Sequence, residues 1–169
     1  STISMTHYAV KVVFTPGLPQ NEGCNRPVKI IIPEGSILHP KEPAAVSVRH
    51  LTQQAVADVV LKALAQIAPD ASTAGCQIAF PTFVIGGFDR REKMAAQNKG
   101  EAPYFVVTDI IGGGMGASER QDGISGVDTH GGNCAILAAE VMETTSPVRV
   151  ISTKLVQGSG GRGRHSGGQ

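Results

Sequence analysis

Apolar residues recur at helical spacing between Ser4 and Phe14, where Met5, Tyr8, Ala9, Val12 and Val13 fall on one face, Ser4 stands as a candidate N-cap and Thr15-Pro16-Gly17 stops the run. The valine-rich end of this segment also fits a strand. A stronger helical pattern spans Thr52 to Ala68. Ala55, Val56, Val59, Val60, Ala63, Leu64 and Ile67 form its apolar stripe, and Gln53, Gln54, Asp58, Lys62 and Gln66 lie opposite. Asp58 and Lys62 are spaced for an i,i+4 pair, and Pro69 ends the pattern. Val56, Val60, Leu64 and Ile67 are therefore predicted core residues. Between these helices, Leu18 to Arg26 reads as turns, Pro27-Val28-Lys29-Ile30-Ile31-Ile32 as a buried strand closed by Pro33, and Ala44 to Arg49 as an extended piece. Further on, Cys76 to Ile85 and Tyr104 to Ile111 are predicted strands, separated by a charged, solvated and mobile loop from Asp89 to Glu101. A short helix over Ile136 to Glu143 and a strand over Val148 to Val156 complete the pattern. Strands and helices mix without βαβ alternation, which predicts an α+β fold with a mixed or antiparallel sheet and a few packed helices. No internal repeat is present.

Composition narrows the functional classes. The chain has 169 residues, 41% of them hydrophobic, enough for one ordinary domain with a core. With 21 glycines, 10 prolines and only 4% aromatics, turns and backbone contacts must build much of the structure. A formal net charge of +1 gives no reason to expect nucleic acid or an anionic membrane as partner. The apolar runs are too short to span a bilayer, and no signal peptide is visible. Cys24, Cys76 and Cys134 are odd in number and widely spaced, which fits neither a disulfide framework nor a CxxC metal site; small buried residues in a reducing, cytoplasmic setting are the favoured reading. The chain starts at Ser1 and stops at Gln169 within a glycine-rich run, so it is expected to be a piece of something longer.

Three segments could carry chemistry. Ile111-Gly112-Gly113-Gly114-Met115-Gly116-Ala117 follows a predicted strand and contains GxGxxA, but Ser118 to Gly123 is too short and turn-like to be the helix that a dinucleotide turn must open. It is either a structural turn, the favoured reading, or a corner where backbone approaches a ligand. Downstream, Asp122-Gly123-Ile124-Ser125-Gly126-Val127-Asp128-Thr129-His130-Gly131-Gly132-Asn133 sets a carboxylate, a hydroxyl, an imidazole and an amide among glycines. In extended geometry Asp128 and His130 would share a face, and the carboxylate could orient the ring for proton transfer. The plainer alternative makes His130 a hydrogen-bonded structural residue and Asn133 a helix cap. Finally, Gly158 to Gly168, with Arg162 and Arg164, could cradle phosphate, yet lacks P-loop order and reads better as a hairpin with glycine turns. No histidine stands at a metal-ligand spacing.

The order of these segments resembles the C-terminal half of the hydantoinase B/oxoprolinase family almost from end to end. Asn21-Glu22-Gly23-Cys24-Asn25-Arg26-Pro27 is similar to the family's NxGxxRP. Pro33-Glu34-Gly35-Ser36 and Pro43-Ala44-Ala45-Val46 follow, then the glycine run, Asp122-Gly123, and Thr129-His130 with Asn133. Pro147-Val148-Arg149-Val150 and Gly158-Ser159-Gly160-Gly161-x-Gly163 close the series. The resemblance implies that residues 1–169 are a single fragment of a larger hydantoinase B-type fold, lacking its N-terminal half and extreme C-terminus. It implies a B-type catalytic part of an ATP-dependent cyclic-amide hydrolase, to which an A-type subunit passes a substrate phosphorylated on its amide oxygen. ATP would then belong to that partner and a divalent metal to the upstream half, the assembly would be a homo- or hetero-oligomer, and this piece alone would be inactive. Related complexes carboxylate ketones, which leaves a carboxylase component, or a non-catalytic assembly segment, as alternatives. Thr129-His130-Gly131-Gly132-Asn133-Cys134 stands where the oxoprolinase branch commonly has a THMTNT-like run, which favours the bacterial hydantoinase branch. The candidate site comprises Asp128 and His130 as catalytic groups and Gly113, Gly114, Thr129 and Asn133 as substrate contacts, with no metal ligand.

Overall fold

Two helices build the core. In the computed structural model, which describes residues 2–78, 81–132 and 134–169, α1 (Thr2–Phe14) packs against α3 (Arg49–Leu64). Met5, Ala9 and Val13, each four residues apart, are the buried face of α1, as its spacing predicts. On α3 the buried face is Gln54, Val56, Ala57 and Leu61, with Val60 and Leu64 partly buried beside it. This face is turned from the predicted stripe. Val59 lies outside the core, and Ile67, beyond the end of the helix, is 73% exposed. The reason is that α1 covers only one narrow side of α3. That side is chosen by the small Ala57, which lets the helices approach, and by polar residues that have partners waiting for them. Beyond α3 a single 3₁₀ turn, Pro69–Ala71, redirects the chain. Upstream, the predicted turn region holds one helical turn, α2 (Glu22–Asn25), capped by the Asn21 side chain.

The sheet has two antiparallel strands, β1 (Thr82–Phe88) and β2 (Tyr104–Ile110), in a register running from Thr82 opposite Ile110 to Phe88 opposite Tyr104. β1 starts later than predicted, because residues 74–77 bond to the glycine run instead. The charged connection contains α4 (Glu92–Gln97) and an anchor rather than only a solvated loop. Asp89 is fully buried and grips the Arg91 guanidinium through Nε at 2.9 Å and Nη2 at 2.6 Å. Nη1 of Arg91 donates to the carbonyls of Glu143 and Thr144, at the end of α5 (Ala139–Thr145). The fold is thus α+β, as expected. Two predicted strands need correction: residues 27–32 and 148–156 pair with no strand among the described residues, and Ile31 and Ile151 are 78% and 85% exposed. The extended piece expected from Ala44 to Arg49 ends earlier, in a turn at residues 47–48 and the start of α3 at Arg49. β-branched residues favour a strand only where a neighbouring ladder receives them.

The third structural unit has almost no side chains. Gly113 and Val127 exchange both backbone hydrogen bonds at 2.9 Å; Gln77 N–H donates to Gly114 O, Met115 N–H to Ile124 O, and Gly168 N–H to Met115 O. A Cβ on Gly114 would overlap the Gly168 carbonyl, and one on Gly116 the Ala74 carbonyl. The glycine run is therefore a place where four stretches of backbone meet, and no helix opens after it. The tail from Gly158 folds onto it without forming strands, closed on itself by a bond from Gly167 N–H to Gly161 O.

The chain exposes 11765 Å², whereas a compact monomer of its 17.5 kDa would expose about 7,900 Å². No helix is long and apolar enough to cross a membrane among the described residues. The turned face of α3 has a direct test in denaturant unfolding: Leu61→Ala is expected to cost roughly 2–5 kcal/mol as a buried leucine, and Ile67→Ala to stay within about 0.5 kcal/mol as a surface change.

Candidate functional site

Where α1, α3 and the segments around Cys76 and His130 meet, a polar cluster forms with His130 at its buried centre and Tyr8, Asp58 and Cys76 half-buried around it. Thr129 and His130 are both buried there. His130 has φ +40° and Gly131 φ +84°, two consecutive left-handed residues that turn the chain sharply and carry the imidazole towards the helix pair. For a histidine this backbone costs on the order of 1–3 kcal/mol and persists only where the surroundings hold it. Here they do. Nε2 of His130 lies 2.8 Å from Asp58 Oδ1, Nδ1 lies 3.2 Å from the Tyr8 hydroxyl, and the Tyr8 ring meets the imidazole edge to face. A carboxylate only accepts, so the proton sits on Nε2, and in the neutral ring Nδ1 accepts from Tyr8.

Asp58 ties in a third segment. The Cys76 N–H donates to both its oxygens, at 3.3 and 3.2 Å, and the thiol lies 3.8 Å from Oδ2. Burial, reinforced by the Asp58 charge, pushes the Cys76 thiol up to about 11. Burial likewise raises the Tyr8 phenol, with Cys76 and Asp58 adding to it. Both groups are thus protonated at neutral pH. One turn earlier on α3, Gln54 is 2% exposed and donates to the Thr129 carbonyl at 3.0 Å, while its Oε1 has no hydrogen-bond partner among the described residues. The Thr129 hydroxyl donates to Gln77 O at 3.2 Å. Two open clefts flank the cluster. One of about 570 Å³ is bordered by Asp58, Lys62 and Glu119, and one of about 580 Å³ by Cys76, Gly114, Arg162 and His165.

The residues singled out in the sequence gather in this neighbourhood but not in the predicted arrangement. Asp128 does not orient His130: the left-handed turn separates their side chains, and the carboxylate on the ring comes from α3. Asp128 instead folds against Gly132, where a Cβ would overlap it, and borders a cavity of about 430 Å³ with Gly112 and Cys134; its Oδ2 is buried without a partner among the described residues. Gly113 pairs with Val127 beside it, and Gly114 borders the Cys76 cleft. Asn133 lies outside the described residues. The sequence motifs do not mark Asp58, Tyr8, Gln54 or Cys76 as members of the site. Asp58 also bonds to His130 and Cys76 where its spacing suggests Lys62. A signal for it exists: Gln54, Ala57, Asp58 and Leu61 stand at i, i+3, i+4 and i+7, one helical face with two polar members.

Comparison with known proteins places the chain in a family. The family model of hydantoinase B/oxoprolinase matches residues 1–169, and the chain belongs to that family. An uncharacterised protein of Schizosaccharomyces pombe is 37% identical over 99% of this chain. The 5-oxoprolinase of Saccharomyces cerevisiae is 36% identical over 99% of it. A protein of Pseudomonas sp. (strain NS671), provisionally named a D-/L-hydantoinase subunit, is 33% identical over 89%. The chain spans 12%, 13% and 23% of the lengths of these relatives. No solved structure matches.

The protonated state of Cys76 predicts a reactivity order. At pH 8 iodoacetamide should label the exposed Cys134 well before Cys76, as read by peptide mass spectrometry. Because the folded pKa of Cys76 lies above its ordinary 9.0, its contribution to stability is intact below pH 9.0 and lost as the pH rises through about 11. Equal labelling of the two thiols at pH 8 would contradict this environment.

Proposed function

We propose that this chain is a segment of the B-type part of an ATP-dependent cyclic-amide hydrolase of the hydantoinase/5-oxoprolinase type. The observation that carries the reading is the family match along the whole chain. An unstrained cyclic amide is a poor electrophile. Phosphorylation of its oxygen by an ATP-binding A-type partner supplies a leaving group, after which a B-type site needs groups that position the ring and move protons. A divalent metal from the upstream half belongs to the same proposal, as do a cytoplasmic location and assembly of both parts into one oligomer.

The arrangement around His130 supports a place for this segment at such a site. Asp128 offers a carboxylate at a cavity, with an oxygen that has no partner among the described residues and can take a proton or a substrate N–H. His130, on the other side of the left-handed turn and held by Asp58 and Tyr8, acts as the proton-transfer group when one of its two hydrogen bonds opens. Gly113, Gly114, Thr129 and Asn133 contact the substrate in this reading, Gly114 from the border of the Cys76 cleft. A second reading, an assembly segment with all chemistry elsewhere, draws on the large exposed apolar surface.

Turnover in the complete two-part enzyme separates the two. His130→Ala should lower kcat by about 100-fold or more with assembly preserved. Unchanged kcat in an assembled, folded variant would exclude the catalytic role and favour the assembly reading. The isolated chain should hydrolyse neither ATP nor a hydantoin.

A further inference from the structure

We propose that Asp58, Cys76 and His130 form a binding site for one divalent cation of the zinc class. Their donor atoms, a carboxylate oxygen, a sulfur and an imidazole nitrogen, all lie within 4.8 Å of one another. They come from α3, from the segment after the 3₁₀ turn and from the left-handed loop, so no local ligand spacing announces them. Mixed sulfur, nitrogen and oxygen donors suit zinc and its neighbours and discriminate against magnesium and calcium, which favour all-oxygen sites.

The surroundings have the features that support such ligands. The second ring nitrogen of a metal-bound histidine is held by an outer partner, and here the Tyr8 hydroxyl stands 3.2 Å from Nδ1. A ligating carboxylate is itself hydrogen-bonded, and the Cys76 N–H serves Asp58 at 3.2 Å. Charge balance also favours occupancy: one carboxylate and one thiolate with a neutral imidazole offset a divalent ion, leaving a neutral centre in a partly buried place. On binding, the Cys76 thiol releases its proton to solvent. The His130 proton moves from Nε2 to Nδ1, where Tyr8 turns from donor to acceptor, and Asp58 exchanges its hydrogen bond to His130 for the metal. One proton leaves per ion. Three protein donors leave a fourth tetrahedral position for a water or another oxygen, and the ion staples three segments that are far apart in sequence.

Cobalt(II) is the probe, because a thiolate ligand gives it an intense near-ultraviolet charge-transfer band. The chain is stripped with chelator and titrated in two forms, the native sequence and the Cys24→Ser/Cys134→Ser double variant, in which Cys76 is the sole thiol. The expected result is one equivalent of cobalt with the charge-transfer band in both, displaced by zinc and not by excess magnesium. Cys76→Ser, checked for folding by circular dichroism, should lose the band and bind zinc at least about tenfold more weakly. Should Cys76→Ser fail to fold, the double variant decides alone. Absence of the band there, its persistence in folded Cys76→Ser, or its displacement by magnesium overturns the proposal, and the cluster is then a hydrogen-bonded network only.

Discussion

The carboxylate of Asp58 is the fixed point from which the rest of this structure is arranged. It sits on the one face of α3 that α1 also covers, and it receives His130 Nε2 on one side and the Cys76 N–H on the other. Asp58 is half-buried, and a carboxylate held there without partners would be costly enough to favour turning the helix outwards. With them it sets the rotation of α3, so Gln54 is carried inside, and Val59 on the opposite side is left exposed. The same bonds hold His130 in a left-handed backbone that a non-glycine residue adopts only when anchored. Helix rotation, loop conformation and the location of the polar cluster thus follow from one set of hydrogen bonds.

Around that point, glycine does what side chains do elsewhere. Gly114, Gly116, Gly123 and Gly168 each stand where a Cβ would overlap a carbonyl of another segment. Residues 74–77, 113–117, 123–127 and 166–169 approach through backbone hydrogen bonds with nothing between them. This unit delivers Asp128 to a cavity and Thr129 to the buried cluster without an extensive apolar core of its own. The apolar surface left uncovered, including Ile31, Ile37 and Ile151, agrees with a chain that spans only part of the length of its relatives.

Local signals in the sequence identify α1, α3 and α5 but not the short α2 and α4, whose segments read as turn and loop. The spacing of Met5, Ala9 and Val13 reports a face that is buried within its own helix pair, and the glycine run reports close backbone approach. The strands expected at 27–32 and 148–156 do not form, because β propensity describes what a residue can do, while a ladder depends on a neighbour that these segments do not have among the described residues. The candidate site is half legible. Thr129 and His130 stand out by their glycine surroundings, but Asp58 and Tyr8 lie in helical patterns 72 and 122 residues away from His130. A polar residue on a helix reads as solvent-facing unless its partner is known, and the pairing of Asp128 with His130 requires extended geometry where the backbone turns left-handed.

The central claim, that the Asp58 to His130 contact couples α3 to the left-handed loop, is tested most directly by a double-mutant cycle. Unfolding free energies of the native chain, Asp58→Ala, His130→Ala and the double variant would be measured in urea with chelator present. The account predicts a coupling energy of about 1 kcal/mol or more between the two sites. Additive effects, within about 0.3 kcal/mol as for distant and independent residues, would contradict it.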